Sequence, residues 1–367
     1  MLLDVIKEKI NDRGDLPFID FMQIALYHPD GGYYTSSLPK LGKHGDFVTA
    51  PEISYLFGFS VANEIKNIII NLDNPVIFEF GAGTGKLCVD ILTQLEKLNS
   101  LPEEYRILEV SGHLRAVQEN LIKEKIPHLA NLIKWETYWP EAPFTGVIIA
   151  NEVLDAMPVN RFFKLSKALQ ESYITLNENN DLIEVFKDSN NVKLIQHVNR
   201  FLDNELENYK SEVNLFIDDW IAKCNEILAE GIMLLFDYGF ANHEFYHPDR
   251  KEGTLMCHFQ HKSHPNPLVN VGQQDITAHV NFTHVANAAF NVGFRVAGFT
   301  NQASFLINNN ILDILLENKD ETINSKQSLK KLLQANEMGE LFKVIALTKN
   351  FDLELNGFKL NDKRASL

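Results

Sequence analysis

The stretch from Val76 to Asp90 constrains this chain more than any other: Val-Ile-Phe-Glu-Phe-Gly-Ala-Gly-Thr-Gly-Lys-Leu-Cys-Val-Asp. Val76, Ile77, Phe78 and Phe80 form an apolar run of the length that a buried parallel strand needs. Gly81, Gly83 and Gly85 then permit a sharp turn, and Leu87, Ile91, Leu92 and Leu95 recur behind it with helical spacing. Strand, glycine turn and helix together make a nucleotide-binding corner. A ligand can lie against bare backbone there, and helix N–H groups point at it. A glycine-rich turn in another α/β protein is the plainer alternative.

The spacing narrows the ligand. A dinucleotide fold reads G-x-G-x-x-G, with its third glycine one position later than Gly85. Here Glu79 precedes Gly81, Gly83 and Gly85, and the pattern resembles motif I of class I S-adenosylmethionine-dependent methyltransferases. The resemblance implies that Gly81, Ala82 and Gly83 pack on the amino-acid and ribose parts of that ligand. Residues 105–110 read as the next strand, and Glu109 falls 24 positions after Gly85. An acid near that offset accepts hydrogen bonds from ribose hydroxyls; a surface carboxylate is the simpler alternative.

At 367 residues the chain is long for one core, so a main domain with a substantial insertion is expected. A net charge of −15 without any Lys/Arg block disfavours nucleic acid and favours cationic partners. No apolar run is long enough for a membrane span, and the first residues resemble neither a signal nor a transit peptide. Cys88, Cys224 and Cys257 form no motif, so a reduced, cytoplasmic setting is the default expectation.

Three regions are expected: an N-terminal helical or lid region over 1–72, a methyltransferase-like α/β domain over 73–158 and 230–350, and an inserted acceptor-side subdomain over 159–229. Strands are expected at 76–80, 107–110, 132–135, 146–150 and 232–236, alternating with helices near 86–98, 113–125 and 218–230. This is the pattern of a doubly wound sheet, whose ligands lie beyond the carboxyl ends of the strands. The insertion reads as a hairpin (161–165, 171–176, 182–185) plus a helix over 192–209. Helices near 309–336 and strands at 294–299 and 342–348 follow, and the tail after Lys349 reads as frayed. The loop over 27–54 is dense in Gly, Asp, Tyr and His, which suits either a lid over the ligand or a plain connector.

Two further stretches carry chemistry. The strand 146–150 runs into Asn151-Glu-Val-Leu-Asp155. If Asn151 starts a helical turn, Glu152 and Asp155 share one side of it. Two such carboxylates could clamp a guanidinium and accept the proton it sheds on methylation; acids suited to a helix N-terminus are the alternative. Asp237-Tyr-Gly239 ends another strand at the same sheet edge. His258, His261 and His264 recur at three-residue steps, but no Cys pair or H-E-x-x-H accompanies them, so a polar loop is expected rather than a metal site.

Taken together, the stretches 25–34, 45–54, 79–85, 150–159, 237–239, 253–255, 275–280 and 302–306 resemble the MidA-type methyltransferases. That family includes a mitochondrial complex I assembly factor that methylates an arginine. The resemblance covers most of the chain. It implies S-adenosylmethionine held by Glu79, Gly81, Ala82, Gly83, Gly85 and Glu109, with Asp46, Thr49, Pro51 and Glu52 bordering the pocket and Asn151, Glu152 and Asp155 near the acceptor. It further implies arginine N-methylation of a subunit of respiratory NADH dehydrogenase, in the cytoplasm of a bacterium or, for the eukaryotic relatives, the mitochondrial matrix. Homodimerisation is left open. Met256 and His258 stand where the family pattern has an arginine and an aromatic residue, so the acceptor wall is expected to differ there. An assembly chaperone that retains the cofactor fold and a small-molecule methyltransferase are the competing readings.

Overall fold

The structure, a computed structural model, describes residues 2–36, 48–166, 168–318 and 322–367. Its centre is a sheet of seven long strands: β1 (Val76–Phe80), β2 (Glu104–Leu108), β3 (Ile133–Glu136), β4 (Phe144–Asn151), β5 (Leu228–Phe240), β6 (Arg295–Asn301) and β7 (Phe342–Lys349). Their order is β3-β2-β1-β4-β5-β7-β6, with β7 antiparallel to both neighbours and every other pairing parallel. The two-residue strand Val280–Asn281 adds to the end of β5. This is the class I methyltransferase fold expected from the sequence, including the antiparallel edge formed by its last two long strands.

Side-chain alternation along the strands builds two cores. Ile77, Ile107, Val147, Ile149, Leu234 and Phe236 face the helices Tyr55–Ile69 and Lys86–Lys97. Phe78, Phe80, Ile148, Ala150, Met233 and Leu235 face Phe216–Ile227 and Phe282–Asn291. Burial on both faces explains why these strands read as continuous apolar runs. The strand order reverses between β1 and β4, which opens a crevice at their carboxyl ends.

The insertion forms a second antiparallel sheet from Asn160–Lys164, Leu169–Leu176, Leu182–Asp188 and Tyr209–Val213. The helix expected over 192–209 stops at Phe201, and Tyr209–Val213 is a strand instead. The expected helix overlaps that strand only at Tyr209, and Ser211 and Val213 lie beyond its expected end. The N-terminal region divides between the two sheets. Leu16–Pro17 pairs with Tyr173 and Ile174 of the insertion, whereas Tyr55–Ile69 packs on the main sheet. Phe216–Ile227 packs on the main sheet, as the alternation of strands and helices predicts, although it falls within the bounds 159–229 expected for the insertion.

Two other expectations are corrected. The segment bearing His258 and His264 is not a loop. Met256–Phe259, Lys262–His264 and Asp275–Thr277 form a small antiparallel sheet with His258 opposite Asp275. The tail after Lys349 is not frayed, because Leu355 and Phe358 are buried in the main core. Buried Glu64 anchors it by accepting from Asn309 Nδ2 (3.1 Å), Asn356 N (3.1 Å) and Gly357 N. The helices expected near 309–336 are Ile311–Glu317 and Ile323–Leu333.

Candidate active site

The turn after β1 holds Gly81, Gly83 and Gly85 at φ +64°, +54° and +86°. L-residues with a Cβ resist that conformation, so the glycines are required by the path of the chain. Gly85 caps the following helix rather than lining the crevice, and a Cβ there would meet Gln118 at 3.2 Å. Over this turn lies a cavity of about 490 Å³. Gly81, Ala82 and Gly83 form one side, with Glu79 beneath them and Glu109 across from them. Thr49, Pro51 and Glu52 form another wall, and the Thr84 hydroxyl donates to the Glu52 carboxylate. Asp46 lies outside the described residues.

Glu109 Oε1 accepts from Ser111 N (2.7 Å) and its Oε2 from Gln118 Nε2 (3.0 Å). The same Gln118 amide donates to Gly83 O (3.0 Å), and its oxygen accepts from Trp135 Nε1 (2.9 Å). Gln118 therefore fixes the glycine turn to the acid opposite it. Only tertiary contact reveals that role, because a glutamine inside an amphipathic helix carries no signal of its own. Glu79 is buried and accepts from the Tyr105 hydroxyl at 2.8 Å. Burial pushes its carboxyl up to about 7, against the pull of that hydrogen bond.

The far end of the cavity is lined by Asn151 and Glu152, with Tyr27 and Tyr34 beside them. No helix starts at Asn151. Glu152 sits at φ +55°, its N–H donates to Phe236 O (2.8 Å), and a turn over 154–157 follows. Glu152 and Asp155 are consequently not two teeth on one helical face. Asp155 is buried off the cavity wall, behind Glu152. Glu152 Oε1 accepts from Asn151 Nδ2 (3.1 Å) and Ala50 N (3.4 Å). The Asn151 oxygen is buried and has no partner among the described residues.

Electrostatics single out this corner. Burial, then the charge of Asp155, push Glu152 up to about 8, with Asp275 adding a smaller push. Burial lifts Asp155 to about 6, and the Tyr238 hydroxyl pulls it back in part. Asp237 accepts from Leu154 N (3.0 Å) and Asp155 N (3.3 Å), which ties the turn to the end of β5. Burial and the neighbouring acids raise it well above the usual carboxylate range. Tyr34 donates to Asp275 Oδ1 (2.9 Å) and Tyr27 to Ala156 O (2.9 Å), and the two rings stack at 5.3 Å. Several carboxyl groups in a low-dielectric corner cannot all ionise unless a cation joins them. Such a corner can accommodate a cation and can accept a proton.

Among the described residues no group of three His, Cys, Asp or Glu side chains is placed to hold a metal ion, and no helix is long and apolar enough to cross a membrane.

Comparison with known proteins places this geometry. A family model described as "Putative S-adenosyl-L-methionine-dependent methyltransferase" matches residues 60–300. A Burkholderia thailandensis protein whose crystal structure is bound to S-adenosyl-homocysteine is 35% identical, with a TM-score of 0.94 over 100% of this chain and 96% of that one. The human protein arginine methyltransferase NDUFAF7, mitochondrial, is 27% identical over 97% of this chain and 85% of its own length. Its Drosophila melanogaster homologue is 27% identical over 93% and 83%.

Proposed function

This chain belongs to the S-adenosyl-L-methionine-dependent methyltransferase family, and from that premise we propose that it methylates an arginine side chain of a protein. The residues present suit the cofactor: the positive-φ glycine turn leaves open backbone beside the cavity, and Glu109 is held in place opposite to receive ribose hydroxyls. When bound, the cofactor supplies an electrophilic sulfonium methyl group. The chain's own residues govern the acceptor. Asn151 and Glu152 present oxygen atoms to a guanidinium at the cavity end, and the buried Asp155 beside them adds negative charge when it ionises. As the guanidine nitrogen is alkylated it sheds one proton, and Glu152, poised at about 8, is the group to take it.

The single observation that carries this reading is the buried Glu152, backed by further carboxyl groups at the acceptor end of the cavity. The names of the curated relatives support arginine as the acceptor. The sequence resemblance further points to a subunit of respiratory NADH dehydrogenase as the protein that carries it. The test is incubation with methyl-labelled S-adenosylmethionine and candidate proteins, read by mass spectrometry of their peptides. Label on arginine supports the proposal; label confined to other residues or to small molecules refutes it.

A further inference from the structure

We propose that the open groove beside the cavity docks the polypeptide flanking the methylated residue, and that it holds an apolar side chain of that polypeptide. This rests on the protein-arginine reading above. The groove is lined by Tyr27, Trp139, Met157, Phe216 and Trp220, with Asp219 among its charged groups. It is continuous with the methyl-transfer cavity in two ways. Tyr27 lines both. Phe80, on the cavity wall, carries the rings of Trp139 and Trp220 on it, each with its centroid 5.1 Å away. A chain lying across the two tryptophans therefore arrives at the mouth where Glu152 waits.

Core packing accounts for part of this aromatic surface, since both indoles cover Phe80. It does not account for Phe216, which is 43% exposed at the start of its helix. Grooves that present tryptophan and phenylalanine to solvent are the usual means of gripping an extended peptide, because these rings bury large area at little entropic cost. Charge selects the occupant. The lining lysine, Lys223, is paired with Glu226 at 2.6 Å, while Asp219 is 78% exposed and its nearest cation, Lys193, is 3.8 Å away. With a net charge of −15 on the chain and acids at the cavity end, a cationic peptide is drawn in. A second copy of this acidic chain, a nucleic acid or an anionic membrane is repelled.

The test uses the full chain and two short synthetic peptides sharing one arginine in a Gly/Ser background, one with leucine on either side of the arginine and one with serine. Binding is read by intrinsic tryptophan fluorescence and methylation by label transfer. The leucine peptide is expected to bind on the order of ten-fold more tightly. Phe216→Ala should erase that preference without changing affinity for S-adenosyl-homocysteine, and Phe216→Leu should restore most of it. Asp219→Lys, a surface change, should weaken both peptides alike. Equal binding of the two peptides, or a preference that survives Phe216→Ala, overturns the proposal. So does concentration-dependent self-association that Phe216→Ala abolishes, because a second copy would then fill the groove. If the preference holds and Phe216→Ala removes it while no arginine is methylated, the groove stands and the arginine reading falls.

Discussion

Glu152→Gln separates the acceptor chemistry from everything else the site does. The substitution keeps shape and keeps an oxygen to accept from Asn151 Nδ2 and Ala50 N, so the cofactor side of the cavity is undisturbed. What it removes is a negative charge facing the acceptor. A hydrogen bond to a charged group contributes about 1.5–3 kcal/mol, so turnover should fall by roughly ten- to a hundred-fold while cofactor affinity changes less than about two-fold. The same charge has a signature in stability. In the folded protein the Glu152 carboxyl is raised from 4.5 to about 8, so the fold favours its protonated form. The cost of burying the ionised form is therefore absent below about pH 4.5, grows as pH rises, and is complete above about pH 8. Without ligand, Glu152→Gln should match the wild type near pH 4.5 and exceed it at pH 9 by about 4–5 kcal/mol, the rise from 4.5 to about 8 taken at about 1.4 kcal/mol per pH unit. Thermal melts across pH, calorimetric titration of the cofactor and single-turnover label transfer read the three quantities. Equal loss of cofactor affinity and turnover would refute the acceptor role, and unchanged turnover would remove Glu152 from the chemistry.

Other expectations follow from the same geometry. In the wild type, kcat/KM should rise with pH through about 8 as Glu152 ionises in the free enzyme, and the rise should vanish in Glu152→Gln; a flat wild-type profile would count against a Glu152 base. Gly83→Val places a β-branched residue at φ +54° on the cavity wall, and cofactor affinity should drop by roughly a hundred-fold or more in calorimetry. Gln118→Ala removes the amide that ties Glu109 to the glycine turn, and cofactor affinity should weaken on the order of ten-fold with the fold retained by circular dichroism. Glu64→Ala strands the donors of Asn309, Asn356 and Gly357, and should cost about 2–4 kcal/mol in denaturant melts; a loss near zero would show that the C-terminal tail is not anchored there.

What could be read from the residues was local. An apolar run followed by glycines leaves β1 and its turn few alternatives, because burial on both faces and positive φ are each demanded by nearest neighbours in the chain. The doubly wound sheet was legible in the alternation of strands and helices behind that corner, while the cofactor class rested on the resemblance of Glu79–Gly85 to a known motif. Where the forces act between distant segments, the residues were silent or misleading. Tyr209–Val213 becomes a strand because Asn160–Lys164 offers it an edge, and the tail folds because buried Glu64 needs donors that only residues 356–357 bring. Glu152 and Asp155 looked like a matched pair on a helix. Hydrogen bonds to the end of β5 instead impose a left-handed residue and turn Asp155 away from the cavity. Tyr34 and Asp275 meet across 241 positions of chain beside the acid-rich end of the cavity. Sequence by itself determined the strands of the main sheet and the glycine turn after β1, since short-range sterics and hydrophobic periodicity suffice for both. Tertiary structure alone decided which carboxyl groups share one low-dielectric corner of the cavity, since desolvation and mutual repulsion depend on how distant segments pack.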